Sequence, residues 1–303
     1  MPTIPRTDLT VHPLCLGGNV FGGRADRDES FAVLDAYVAA GGDFVDTADL
    51  YADGESERVV GAWMADRGNR DDIVLATKLG MSDEAPGLSA ANIRTAVDAS
   101  LERLGTEHID LYYAHQDDES VPMQETLEAL DGLVREGKVR HVAASNFGAA
   151  RLTEALELSE REGLASYVAL QPHYNLMVRG EFEGELQDAC RRHGLAVFPY
   201  FALAAGFLTG KYRSGAEPDT RRGNRYEDDP RGPAVLEALD EVAAAHGGVP
   251  VAAVALAWLA AQDTVTSPIA SARTPEQLDD ILAFVDLELS AEQVERLSSA
   301  SAG

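Results

Sequence analysis

Cysteine is almost missing from this 303-residue chain. Cys15 and Cys190 are too few for a disulfide framework, and neither stands in a Cys-x-x-Cys or Cys/His spacing that would hold a metal. Both read as reduced core thiols. Lysine is nearly as scarce: Lys78, Lys138 and Lys211 are all there is, and with arginine they bring the basic count to 25 against 51 acidic residues, a net charge of −26. A field of that sign repels phosphate backbones and anionic lipid, which argues against nucleic-acid and membrane partners. Salt adaptation and GC-rich coding both produce such a bias, and composition does not separate them. No stretch reaches about 18 uninterrupted apolar residues, and the first twenty, broken by Pro2, Pro5, Asp8 and Pro13, hold no signal-peptide core. A cytoplasmic chain is expected, with a monomer as the default.

A 45% hydrophobic fraction with 27 Gly and 13 Pro is ordinary for a globular protein with a large core. The length fits two average domains or one α/β barrel. Eight short apolar runs recur along it: Leu14–Gly17, Phe44–Thr47, Ile73–Lys78, Ile109–His115, Val139–Ser145, Val168–Gln171, Ala196–Tyr200 and Val265–Ile269. They lack strict polar alternation, as strands buried on both faces of a parallel sheet do. Amphipathic segments lie between them, the first with Phe31, Leu34 and Val38 on its apolar face. Several are closed by a glycine just past the last apolar residue, as at Gly41, Gly105, Gly137 and Gly194. Thr274-Pro275-Glu276-Gln277 and Ser290 to Gln293 read as helix starts with capping boxes.

Eight such units without a linker predict a single-domain α/β fold over residues 1–303, a (β/α)8 TIM barrel with extra C-terminal helices and a long loop, Arg213–Pro233, after strand 7. An open doubly wound sheet is the alternative. It expects a G-x-G-x-x-G turn, which Leu16-Gly17-Gly18-Asn19-Val20-Phe21-Gly22 does not supply.

In a barrel the active site lies at the C-terminal ends of the strands. Those ends are Asn19, Asp46, Lys78, His115, Ser145 with Asn146, Gln171, Tyr200 and Ser267. Nearly every strand thus finishes in a polar group, which packing alone does not require. Taken singly, Asp46 reads equally as a loop cap, His115 as a structural histidine and Tyr51 as a packing aromatic. Lys78 is harder to explain, since a lysine closing an apolar strand needs a counter-charge. Together they form a device. A phenol with an ordinary pKa of about 10 is a poor acid near neutrality, and an adjacent Lys78 ammonium favours its ionised form. Asp46 would hold Lys78 charged and oriented, and His115 would donate a hydrogen bond to a substrate oxygen.

Asp46-Thr47-Ala48-x-x-Tyr51, the strand-ending Lys78 and the Leu-Tyr-x-x-His115 segment occur in the order of a catalytic tetrad, and in this the chain resembles the aldo-keto reductase superfamily from about Leu14 to Leu282. The resemblance implies reversible hydride transfer between NADP(H) and a small carbonyl or alcohol substrate, with no metal. It implies Tyr51 as proton donor, Lys78 as its partner, Asp46 as the lysine's anchor and His115 as orienter of the carbonyl. It also implies that Ser145, Asn146 and Gln171 hold the nicotinamide carboxamide and that Tyr200 stacks on the ring. Phe201, Ala202, Leu203, Gly206 and Lys211 would form the loop on the phosphate side, with Gly18, Asn19, Val20 and Asp46 as further cofactor contacts. Ser271, Arg273, Gln277 and Asp280 correspond to the adenosine 2′-phosphate segment. Phe201-Ala202 stands where the family commonly has Ser-Pro, and Ile281 where it has asparagine. Two other readings stay open: a binding module whose nucleotide reports redox state, and a Schiff-base lyase using Lys78, which a nearby Asp46 disfavours by keeping the amine protonated.

The charge itself predicts a salt response. Self-repulsion is relieved as the Debye length shrinks from roughly 10 Å at 0.1 M to about 3 Å at 1 M salt. The thermal midpoint is expected to rise over that range of KCl, and a flat or falling midpoint would contradict the idea.

Overall fold

The structure is a computed structural model and describes residues 1–212, 226 and 228–302. Eight parallel strands are present: β1 (Cys15–Gly17), β2 (Phe44–Asp46), β3 (Val74–Leu79), β4 (Ile109–Ala114), β5 (Val139–Ser145), β6 (Ala169–Gln171), β7 (Ala196–Val197) and β8 (Ile269–Ala270). They pair in the order β7-β6-β5-β4-β3-β2-β1-β8. The two outer members meet through the Thr266 amide on the Val197 carbonyl and the Ile269 amide on the Pro199 carbonyl, both at 2.9 Å, so the sheet curls back on itself. Helices α1 (Arg27–Ala39), α2 (Glu55–Arg67), α3 (Ala90–Leu104), α4 (Met123–Arg135), α5 (Ala149–Glu162) and α6 (Glu185–His193) alternate with the first seven strands. Between β7 and β8 lie α7 (Gly232–Ala245) and α8 (Val251–Ala260), and after β8 come α9 (Pro275–Leu282) and α10 (Ala291–Ala300). This is the (β/α)8 barrel with additional C-terminal helices that the apolar runs predict.

Two-residue periodicity decides what each strand shows to the barrel interior. Cys15, Phe44, Ala76, Leu111, Tyr113, Ala143, Ala169, Ala196, Phe198 and Ile269 form one cluster inside the barrel, closed from below by Ile4, Leu9 and Val11 of the N-terminal segment. Their strand neighbours Leu16, Val45, Leu75, Tyr112, Val142, Leu170 and Val197 belong instead to the larger core between sheet and helices. Counting on by two along the inner columns reaches Asp46 after Phe44, Lys78 after Ala76, His115 after Tyr113, Ser145 after Ala143, Gln171 after Ala169 and Tyr200 after Phe198. The same parity that fills the barrel with apolar groups therefore delivers the polar ones to its upper rim.

Some expectations are corrected. The eighth strand is Ile269–Ala270 and not Val265–Ile269; Val265 makes only an isolated bridge to Val197. Pro268 interrupts the run because it has no amide to give to a ladder. Ser267 is consequently no strand end at the rim: it is buried, and its hydroxyl donates to the Pro13 carbonyl ahead of β1. In α1 the core-facing residues are Val33, Leu34 and Tyr37, while Val38 is exposed. Thr274 caps α9, but Gln277 accepts from the Arg273 amide and so does not close a box on Thr274, whereas the Ser290/Gln293 box forms in full. Most of the Arg213–Pro233 loop lies outside the described residues; its last two residues begin α7. No helix among the described residues is long and apolar enough to cross a membrane.

Gly61 is where α2 touches α3. A Cβ added there would sit 2.4 Å from the Leu104 carbonyl oxygen and 2.6 Å from its carbon, both backbone atoms that cannot swing away. Gly61→Ala should gain up to about 1 kcal/mol of helix propensity, yet lose roughly 1–3 kcal/mol or more to the forced separation. A lowered thermal midpoint is expected; an unchanged or raised one would show that the helices part freely.

Candidate active site

Lys78, next to last in β3, has its ammonium wholly inside the protein. It donates to Asp46 Oδ2 at 2.6 Å, to the Thr47 carbonyl at 2.7 Å and to the Tyr51 hydroxyl at 3.3 Å, which uses its three protons. Asp46 accepts on its other oxygen from Gln171 Nε2 at 3.1 Å, so four elements of the barrel converge on one carboxylate and one amine. Burial disfavours the Lys78 ammonium, but Asp46 and Tyr51 outweigh it and its pKa is pushed up to about 12. Burial likewise raises the Asp46 carboxyl, with Lys78 and Gln171 pulling it back. The pair is closed off from water.

Tyr51 reaches Lys78 from the first turn after β2, a short 3₁₀ segment in which Ala52 and Asp53 both take left-handed backbone angles, φ 49° and 55°. Burial raises the phenol above its ordinary pKa, against the pull of Lys78. This differs from the expectation that Lys78 lowers it: withdrawal from water is the larger of the two effects. Tyr51 is accordingly a neutral phenol whose oxygen already accepts from Lys78, leaving its own proton to be given elsewhere. The His115 ring stands edge-on to Tyr51, centroids 6.2 Å apart, and burial together with Lys78 pushes its pKa down to about 3. His115 is therefore a neutral imidazole, and its Nδ1 is buried without a hydrogen-bond partner. All four residues expected to act together are brought together.

Around them the rim is a connected set of polar contacts. Ser145 Oγ donates to the Gln171 carbonyl at 2.9 Å, and Asn146 Nδ2 donates to the His115 carbonyl at 2.8 Å and to Ser145 Oγ at 3.2 Å. The Asn146 backbone is left-handed (φ 56°), a conformation asparagine tolerates, and its Oδ1 accepts from the Tyr200 hydroxyl at 2.8 Å. On the β1 side the Gly18 amide donates to the Asp46 carbonyl at 2.7 Å, and Ser271 Oγ donates to Asn19 Oδ1 at 2.7 Å. Val20 is half-buried and its carbonyl accepts from Arg24 and Ala25. Past β7, Phe201, Ala204, Ala205 and Gly206 all have positive φ, and the Lys211 stem crosses so close to Gly206 that a Cβ there would meet it at 2.7 Å. Ala202 is buried and Leu203 half-buried in the same turn, while Arg273 is half-buried just ahead of α9 and Gln277 and Asp280 are exposed along it. Ile281 points into the core.

Sequence reasoning passed over two groups. His173, between Pro172 and Tyr174, stacks on the Tyr200 ring at 5.3 Å and 13° and faces Glu181 at 3.2 Å. Only its place two residues after Gln171 hinted at the rim. Asp49, Glu57 and Arg103 form a buried polar cluster beneath the Tyr51 turn, and nothing in their separate stretches of sequence joins them.

An α/β barrel whose strand ends assemble a buried Lys–Asp pair, a phenol and an imidazole has the parts to give a proton to a carbonyl oxygen or take one from an alcohol. The Aldo/keto reductase family matches residues 13–302, and the chain belongs to that family. It is 34% identical to norsolorinic acid reductase stcV of Emericella nidulans, a match covering 96% of this chain and 78% of the relative. Identity to the oxidoreductase YrpG of Bacillus subtilis is 36%, over 97% and 93% of the two chains. An aryl-alcohol dehydrogenase of Pestalotiopsis microspora is 31% identical, over 97% of this chain and 79% of its own.

Proposed function

We propose that the protein is an NADPH-dependent reductase of aldehydes and ketones with Tyr51 as its general acid. The observation that carries this is the Lys78 ammonium shared between Asp46 and the Tyr51 oxygen. Because Lys78 donates to that oxygen, it stabilises the phenolate left when Tyr51 gives its proton to the developing alkoxide, and Asp46 keeps Lys78 charged throughout. His115, neutral and beside Tyr51, orients the substrate oxygen by hydrogen bonding. The names of the relatives, reductases and an aryl-alcohol dehydrogenase, agree with such a substrate class. A protonated Lys78 works against a Schiff-base reaction.

The rim suits a nicotinamide dinucleotide. The Tyr200 ring gives a flat surface, Ser145, Asn146 and Gln171 give amide and hydroxyl partners, and the left-handed run Ala204 to Gly206 gives a backbone turn of the kind that cradles phosphate. Arg273 and the start of α9 offer a cation and the positive end of a helix dipole for a 2′-phosphate, with Ser271, Gln277 and Asp280 nearby in sequence. The bound cofactor supplies the hydride; the chain supplies the proton, the placement and the electrostatics. The same reading takes the protein to be a single-domain cytoplasmic monomer without nucleic-acid or membrane partners, in keeping with a charge of −26.

Two variants test this. Tyr51→Phe removes the proton donor together with one acceptor of Lys78, so kcat for simple aldehydes should fall by roughly 10²–10⁴ while NADPH affinity holds; near-normal turnover would sink the assignment. Arg273→Ala should weaken NADPH by about tenfold to a hundredfold, the equivalent of a charge-assisted bond of about 1.5–3 kcal/mol, and leave NADH almost unchanged. An equal loss for both cofactors would remove Arg273 from the phosphate site.

A further inference from the structure

Asp49 is a buried acid that the proton transfer leaves unused. It lies in the turn between β2 and Tyr51, is only 4% exposed, and its Oδ1 has no hydrogen-bond partner. A buried carboxylate oxygen without a donor is a costly feature and calls for an explanation.

The groups facing it come from four elements. Glu57 of α2 is fully buried, accepts from Thr77 Oγ1 at 2.6 Å and pairs with Arg103 Nε at 2.6 Å. Arg103 of α3 spends its remaining nitrogens on Glu84 at 3.1 Å and Ser100 Oγ at 3.4 Å. Lys78 of β3, committed to Asp46, and Tyr112 of β4 complete the surroundings. The Arg103 donors are thus held by Glu57, Glu84 and Ser100, and the second buried carboxyl, Asp49, feels the guanidinium only through its charge. Burial, and after it the charge of Glu57, raise the Asp49 pKa to about 7, against weaker pulls from Arg103, the Leu50 amide and Lys78.

The turn above this acid is the one that presents Tyr51. The Asp49 amide donates to the Lys78 carbonyl at 3.2 Å and the Tyr51 amide to the Ala48 carbonyl at 3.2 Å. Ala52 and Asp53 are left-handed, and Arg103 Cδ lies 2.7 Å from where a Cβ on Gly54 would be. Non-glycine residues hold such angles only where their surroundings over-determine them.

We propose that Asp49 is a positioning residue for Tyr51: as the neutral acid it seats the turn on the Arg103–Glu57 pair and holds the Tyr51 hydroxyl at Lys78, and losing its proton loosens that seat. This rests on the reading of Tyr51 as the acid. A carboxyl whose pKa is raised in the seated turn favours that turn at low pH; the advantage is lost as pH climbs from the ordinary value of 3.8 to about 7 and is constant above.

The test is Asp49→Asn, a neutral isostere, compared with the wild type between about pH 4.5 and pH 8.5. The thermal midpoint of the wild type should fall relative to the variant by several degrees over this window, and the variant-to-wild-type ratio of aldehyde kcat/KM should rise about three- to tenfold. Glu57→Gln, which relieves the repulsion, should move the wild-type inflection to lower pH. A readout free of turnover is the near-ultraviolet difference spectrum between each protein and its Tyr51→Phe counterpart, expected to change with pH in the wild type and to be constant in Asp49→Asn. A pH-dependent spectrum and midpoint without turnover would support the seat and defeat the reductase reading alone. Parallel midpoints, parallel kcat/KM profiles or a spectrum equally pH-dependent in both would overturn the proposal.

Discussion

Everything at the rim hangs on one buried ion pair. Lys78 and Asp46 face each other at 2.6 Å with side-chain exposures of 0% and 3%, an arrangement whose desolvation cost rivals its Coulombic gain. Such a pair is a poor device for stability and a good one for position. Its remaining valences are satisfied by the Thr47 carbonyl, the Tyr51 oxygen and Gln171, so β2, β3, β6 and the Tyr51 turn are pinned to one another. Removing either member of the pair would leave the other charge unpaired in a dry interior.

Strain gathers where this network meets the loops. Among the described residues, seven non-glycine positions have positive φ: Arg6, Ala52, Asp53, Asn146, Phe201, Ala204 and Ala205. All but Arg6 follow the C-terminal ends of β2, β5 or β7. Each left-handed non-glycine residue costs on the order of 1–3 kcal/mol, and the barrel strands beneath supply the rigidity that sustains it. The division of labour is physical: apolar inner columns fix the strands, and the strands in turn hold strained turns that aim Tyr51, Asn146 and Tyr200.

Electrostatics at the site are set more by exclusion of water than by neighbouring charge. Burial leads the shifts of Tyr51, His115, Asp46 and Asp49 alike. Only at Lys78 do the neighbours prevail. The outcome is a cation paired with Asp46 on one side and with the neutral Tyr51 hydroxyl on another, suited to stabilising a negative charge that appears on that hydroxyl only during reaction.

Much of this was legible in the chain. Eight strand-like apolar runs without polar alternation identified the barrel, and their C-terminal ends named Asp46, Lys78, His115, Ser145, Gln171 and Tyr200, because where an apolar run stops is a local property of the chain. Elsewhere locality failed. The ten residues of α8 are apolar all round, so no stripe marks them as a helix, and Pro268 displaced β8 through a missing amide whose consequence depends on the partner strand. The rise of the Tyr51 pKa, the stack of His173 on Tyr200 and the burial of Asp49 near the charges of Glu57 and Arg103 were decided by tertiary structure alone. They depend on how deeply a group is buried and on which side chains from distant segments surround it, and Arg103 meets Glu57 across 46 positions of sequence. Periodicity carries direction along a strand; depth and company exist only once the barrel has closed.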